Sequence, residues 1–223
     1  DSKTLLICRS QVTVLQLAEF IKQQTGRHLP VFHEKMSIIE RDRAAHYFAD
    51  PDSNTPLLLC SEIGSEGRNF QFAQHLILFD LPLHPDLLEQ RIGRLDRIGQ
   101  SQVVNIHVPY FTGSAHERLF NIYNQGLNSF NETCAIGAKV FDTLADDIDT
   151  YITAEQEPEG LIEKITDLAT QYNLERQQGR DKLLELSASG KGTVEPLLEA
   201  LNDPEQVQSV ERFMQLICDW PIL

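Results

Sequence analysis

The pattern that most limits what this chain can fold into is a set of short apolar runs, at 4–8, 57–60, 75–79 and 103–108, separated by stretches of helical periodicity. A run without polar alternation suits a strand buried on both faces, as in a parallel sheet. Between the runs, Leu15, Ala18, Phe20 and Ile21 recur at roughly helical spacing until Gly26 breaks the helix. A short strand is expected at 30–32. Ser37 and Glu40 read as a capping box that opens a helix through Phe48, and Pro85 suits the first turn of another. Strands alternating with helices of about 10–15 residues predict βαβ units. The expected fold class is therefore α/β, with about five parallel strands and helices on both faces. Beyond Gly113 no strand pattern recurs. Helices are expected over 114–128, 131–149, 159–177, 180–187, 194–201 and 205–219, jointed near 158–160 and 187–192. The expected domains are an α/β lobe at 1–150 and an acidic helical segment at 151–223.

Charge sharpens that division. The 223 residues carry a net charge of -14. Residues 1–110 hold 11 Lys/Arg against 13 Asp/Glu, whereas 111–223 hold 8 against 20. Anionic surface repels phosphate backbones, so nucleic-acid contact is expected in the first half. The second half reads as a solvated helical face or as a surface for a basic protein. The apolar runs are far too short to cross a bilayer, and no leader pattern opens the chain, so no membrane partner is expected. The opening Asp1-Ser2-Lys3 reads as a cut from a larger protein. The four cysteines form no CxxC or Cys/His spacing, so no metal site is expected. Cys8 and Cys60 close apolar runs and read as buried free thiols in a reducing cytosol.

Two stretches carry chemistry. In 89–100, Arg91, Arg94 and Arg97 stand at three-residue intervals on one side of a helix, with Gly93 allowing close approach of something bulky. Packed guanidinium groups repel unless an anion sits among them, and Arg is well suited to gripping phosphate. Spacing alone equally allows a solvated cationic helix. In 61–71, Gly64 and Gly67 free the backbone after a buried strand, where a ligand can approach the carboxyl edge of a parallel sheet. A plain connecting loop is the other reading. Gly190-Lys191-Gly192-Thr193 is no phosphate-binding loop, because Glu185 stands where the first glycine belongs and no strand precedes it.

The stretch Glu89-Gln90-Arg91-Ile92-Gly93-Arg94-Leu95-Asp96-Arg97-Ile98-Gly99-Gln100 resembles motif VI of superfamily-two helicases and translocases, ending in the Swi/Snf style. Residues 61–71 resemble motif V, with Asn69 where many relatives carry Asp. Residues 4–10 resemble the motif IV strand. Val31 to Ser37, followed by Glu40-Arg41, resembles a Swi/Snf segment whose loop and helix start face nucleic acid, with Glu34 where that family often has Gly. The order is the family's order. Residues 115–120 and 178–186 are similar to bacterial RNA polymerase-associated Swi/Snf ATPases, so the resemblance spans nearly the whole chain.

The resemblance implies the second RecA-like lobe of an ATP-driven translocase that works with RNA polymerase and helps recycle it during transcription. It makes Arg94 and Arg97 the catalytic arginine fingers at the ATP γ-phosphate. It places Gly67 and Asn69 near the ribose, and adds Gln90 and Arg91 to the ATP-binding set, where they help couple the lobes. Ser61, His33 and Ser37 would face nucleic acid. ATP with Mg²⁺ would bind the intact protein in a cleft shared with a first RecA-like lobe, which carries the phosphate-binding loop and the Mg²⁺-binding acid; neither binds this chain alone. DNA, or alternatively RNA, is the implied track, and the bacterial cytoplasm and nucleoid the implied location. Two other readings fit the sequence: a protein-interaction module that docks on RNA polymerase, and a piece of a DEAD-box-like strand-separating helicase.

Overall fold

The computed structural model describes residues 2–53, 55–62, 70–96, 100, 103–154 and 160–188, with side chains as far as Gln178. Its sheet has five strands, all parallel: β1 (Thr4–Cys8), β2 (Val31–Phe32), β3 (Leu57–Ser61), β4 (His75–Leu78) and β5 (Asn105–His107), in the order β2-β3-β1-β4-β5. Cys8 lies level with Ser61, and Ile7 with Leu78, so β1, β3 and β4 end together. Whatever follows those three strands is thereby gathered at one edge.

Side chains alternate across a strand, so neighbouring residues serve opposite faces. Leu6, Cys8 and Leu59 face α1 (Gln11–Thr25) through Val14. Leu5, Ile7, Leu58, Cys60, Leu76 and Leu78 line the other face. There α2 (Ile38–Ala49) contributes Phe48 and α3 (Pro85–Ile92) contributes Leu88. The helix ends follow local chemistry. The Ser10 hydroxyl accepts the Thr13 amide at the start of α1, and Gly26, at φ 70°, stops that helix in the left-handed region. Ser37 and Glu40 form the expected capping box of α2.

The second half is helical: α4 (Ala115–Asn121) runs into a π-helical turn (Ile122–Gly126), followed by α5 (Gly137–Thr143), α6 (Ala145–Thr153) and α7 (Leu161–Ala188). Tyr123, Val140, Ile148, Tyr151 and Ile165 join the core beneath the sheet. Tyr123 donates its hydroxyl to the Pro82 carbonyl at 2.7 Å, which fixes the loop between β4 and α3. Asp1–Asn173 is one compact unit and Leu174–Leu223 another.

Several boundaries differ from expectation. The last strand spans only Asn105–His107, and Val103 is 81% exposed instead of buried. The helix expected over 131–149 begins at Gly137 and is interrupted at Leu144, whose φ/ψ of -111°/23° leaves the helical region. The helices expected at 159–177 and 180–187 are one helix, α7, because an interior glycine such as Gly179 costs only about 1 kcal/mol. The helices expected at 194–201 and 205–219 lie outside the described residues.

Candidate functional site at the carboxyl edge of the sheet

Arg91, on the last turn of α3, is 2% exposed, and its charge is met by two carboxylates. Its Nε donates to Glu62 Oε1 at 2.9 Å, and its Nη1 donates to Asp80 Oδ1 at 3.0 Å and to the Asp80 carbonyl. Glu62 follows β3 and Asp80 follows β4. Asp80 also accepts the Arg9 amide on both carboxylate oxygens, at 2.9 and 2.8 Å. One guanidinium thus ties together the chain leaving β1, β3 and β4. Arg91 Nη2 is buried without a hydrogen-bond partner.

The arginine stretch meets 61–71 at two further points. The Phe70 amide donates to the Arg94 carbonyl at 2.9 Å, and Gln100 Nε2 donates to the Gln71 carbonyl at 2.9 Å and the Leu95 carbonyl at 3.1 Å. Glu62 and Phe70 flank residues 63–69, and both are bonded to the arginine stretch. Two signatures some twenty residues apart in sequence are therefore one constellation in space. Within it, Arg94 is 8% exposed, and Gln90 is exposed on α3. Arg97, Gly64, Gly67 and Asn69 lie outside the described residues.

The residues expected to face nucleic acid are placed differently from one another. Ser61, the last residue of β3, is 1% exposed and donates its hydroxyl to Glu34 Oε2 at 2.7 Å. Ser37 is exposed, but its hydroxyl is engaged with Glu40 in the cap of α2. His33 is half-buried, with Nδ1 buried and without a hydrogen-bond partner. The Ser61 hydroxyl, then Glu34's own amide and the nearby His33 and Lys35, hold the Glu34 carboxyl below its ordinary value, so it is anionic at neutral pH. Arg41 shapes this turn by donating to the carbonyls of Glu34, at 2.6 Å, and Met36, at 3.1 Å.

Sequence reasoning overlooked Glu62, Asp80 and Arg9. The available signal was position: Arg9 and Asp80 directly follow apolar runs and Glu62 stands one residue beyond another, all at the carboxyl edge where a parallel sheet gathers its site. The free thiols Cys8 and Cys60 are buried as expected. Burial pushes Cys8 up to about 12 and raises Cys60 as well, so neither is a nucleophile at neutral pH. Among the described residues, no group of three or more His, Cys, Asp or Glu could hold a metal ion, and no helix is long and apolar enough to cross a membrane.

Residues 1–99 match the model of the helicase conserved C-terminal domain. Together with the parallel sheet, this makes the first part of the chain a RecA-like helicase C-terminal lobe, followed by a helical segment. Residues 103–221 match the C-terminal model of the RNA polymerase recycling family. The chain belongs to that family. It is 44% identical over 222 residues to the RNA polymerase-associated protein RapA of Klebsiella pneumoniae (strain 342), covering 98% of this chain and 23% of that protein. The chain thus spans about a quarter of that relative's length. Among solved structures, the C-terminal part of the Fun30 ATPase domain aligns at 24% identity and a TM-score of 0.48, over 66% of this chain and 48% of that one. The Sulfolobus solfataricus SWI2/SNF2 ATPase core domain aligns at 16% identity and a TM-score of 0.47, over 66% of this chain and 30% of that one.

Proposed function

We propose that this chain is the second lobe of a nucleic-acid-dependent, ATP-driven translocase that acts with RNA polymerase and helps recycle it in bacterial transcription. The observation that carries the reading is the bonding of both Glu62 and Phe70, on either side of 63–69, to the arginine stretch. A phosphoryl-transfer site needs cationic donors held rigidly where charge develops, and a glycine-bearing backbone beside them. The cluster fits one wall of such a site: Arg91 braces it from within, its Nη2 being a donor still unspent. ATP with Mg²⁺, when bound between this lobe and a first lobe, supplies the anionic phosphate on which Arg94 and Arg97 would act.

In this reading Gly67 and Asn69 approach the ribose, and Gln90, exposed on α3, meets the first lobe or the nucleotide. Arg91 belongs to the same set as a positioning residue, because both of its engaged nitrogens bind protein oxygens. Ser61, His33 and Ser37 mark the half of the nucleic-acid track that this lobe supplies, with DNA as the favoured track. The acidic helical segment, 151–223 in the proposed division, suits a basic surface of the polymerase. Such a protein works in the cytoplasm, at the nucleoid. The deciding experiment measures ATP turnover of the full-length protein with and without duplex DNA, alongside a strand-separation assay. DNA-stimulated turnover without unwinding supports the translocase. Unwinding would instead place the chain in a strand-separating helicase.

A further inference from the structure

Ser61, the last residue of β3, and Glu34, in the turn after β2, meet through a hydrogen bond of 2.7 Å. A serine hydroxyl has one hydrogen to donate, so only one acceptor can hold it at a time. Here that acceptor is a carboxylate. A backbone phosphate oxygen is also an anionic acceptor, and it competes for the same hydrogen. The carboxylate is not a loose surface group, because Arg41 holds the Glu34 and Met36 carbonyls and the Met36 amide closes the turn onto the His33 carbonyl at 3.1 Å. Glu34 is thereby presented to Ser61 already in place.

We propose that Glu34 is a specificity-determining residue of the nucleic-acid track, an anionic gate that holds the Ser61 hydroxyl in the free lobe and that a backbone phosphate must displace. The gate rests on the reading of Ser61 as a backbone contact. Its consequence is a deliberate weakness: like charges brought together oppose binding, so the track grips phosphate only where other contacts offset the repulsion. Glu34 is also charged across the neutral range, held so by Ser61, by its own amide and by nearby His33 and Lys35.

The test uses the full-length protein, a fluorescein-labelled DNA duplex, and affinities read by anisotropy between about 50 and 200 mM salt. E34Q keeps the side chain's size and an acceptor for Ser61 but removes the charge. It is expected to tighten binding about three- to tenfold and to steepen the salt dependence, since one repelling charge has gone. E34A, which removes the carboxylate altogether, is expected to tighten binding at least as much. S61A is expected to weaken binding and to reduce the gain from E34Q in the double variant. If S61A weakens binding while E34Q and E34A weaken it too, Glu34 is only a prop for the turn and the gate is overturned. If S61A leaves binding unchanged, the backbone contact itself is wrong and the gate falls with it. Thermal unfolding of each variant shows whether the fold is intact, and a single-stranded RNA probe in parallel shows whether the gate acts on both backbones.

Discussion

Arg91 Nε lies 2.9 Å from Glu62 Oε1, which joins the last turn of α3 to the residue that leaves β3. With Asp80 as second partner, the guanidinium is held by charge on two sides while only 2% of it meets solvent. Removing the guanidinium leaves the half-buried Glu62 and Asp80 carboxylates without their shared donor, at a cost of about 1–3 kcal/mol. Arg91→Ala is therefore expected to destabilise the chain by that order in urea unfolding. Arg91→Lys is expected to restore little, because one ammonium cannot reproduce the planar fork that reaches both acids. A loss below about 0.5 kcal/mol, the scale of an ordinary surface substitution, would refute the bracing role.

The next two arginines, Arg94 and Arg97, are the proposed fingers at the γ-phosphate. In the full-length protein, Arg97→Ala or Arg94→Ala is expected to lower ATP turnover by about 10³–10⁵ while nucleotide affinity stays close to normal. Turnover and nucleotide binding measured on the same preparations check this. Near-normal turnover in both variants would remove the arginine fingers from the mechanism.

The chain by itself is expected to hydrolyse no ATP above background, because the proposed site needs a wall from a first lobe. Phosphate release from a pure sample is the measurement. Turnover that scales with the concentration of this chain would contradict a shared site.

His116 offers a pH test that needs no partner. Its Nε2 accepts the Leu81 amide at 3.1 Å, which requires the neutral ring with its proton on Nδ1. Burial lowers its pKa below the ordinary 6.5, against a smaller opposing pull from Asp80. The folded state thus binds this proton less readily than the unfolded chain does. The contribution is complete above about pH 6.5 and declines as pH falls through the lowered folded value. Melting temperature should accordingly drop on acidification through this window, and His116→Gln should flatten that dependence. An unchanged slope in the variant would clear His116 of the effect.

Gly126 tests the packing of the helical part. A Cβ there would stand 2.8 Å from Ile165 Cγ2, so α7 can lie against the π-helical turn only because the side chain is absent. Gly126→Ala is expected to cost about 1–3 kcal/mol by overpacking. Combined with Ile165→Ala, which empties the opposing space, its cost should shrink. Strict additivity of the two in urea unfolding would contradict the contact.

Much of the lobe was legible because its determinants are local. The runs at 4–8 and 57–60 have no polar alternation, and each became a strand buried on both faces, whereas the run at 75–79 gave a strand over His75–Leu78 that is fully buried on one face and half-buried on the other. Ser37 with Glu40 opened a helix as a capping box must, since both groups lie within one turn. The run at 103–108 was less legible. Only Asn105–His107 pairs, at the edge of the sheet, and whether an edge segment pairs depends on its neighbour's register. Gly179 within α7 and the interruption at Leu144 were hidden for a related reason: packing overrides the propensity of one residue.

The order and chemistry of the site were in the sequence, down to three arginines and a glycine-bearing turn before them, because those residue types suit phosphate wherever they stand. Only the tertiary structure decided which of them are spent. Arg91 turned out to brace Glu62 and Asp80, and Ser61 to be held by a glutamate 27 positions away. A charge or a hydroxyl can be read from one residue, but its partner is chosen by which strand ends the sheet brings level. That choice depends on which residues of sequence-distant strands come to pair, so no single stretch read alone reveals it.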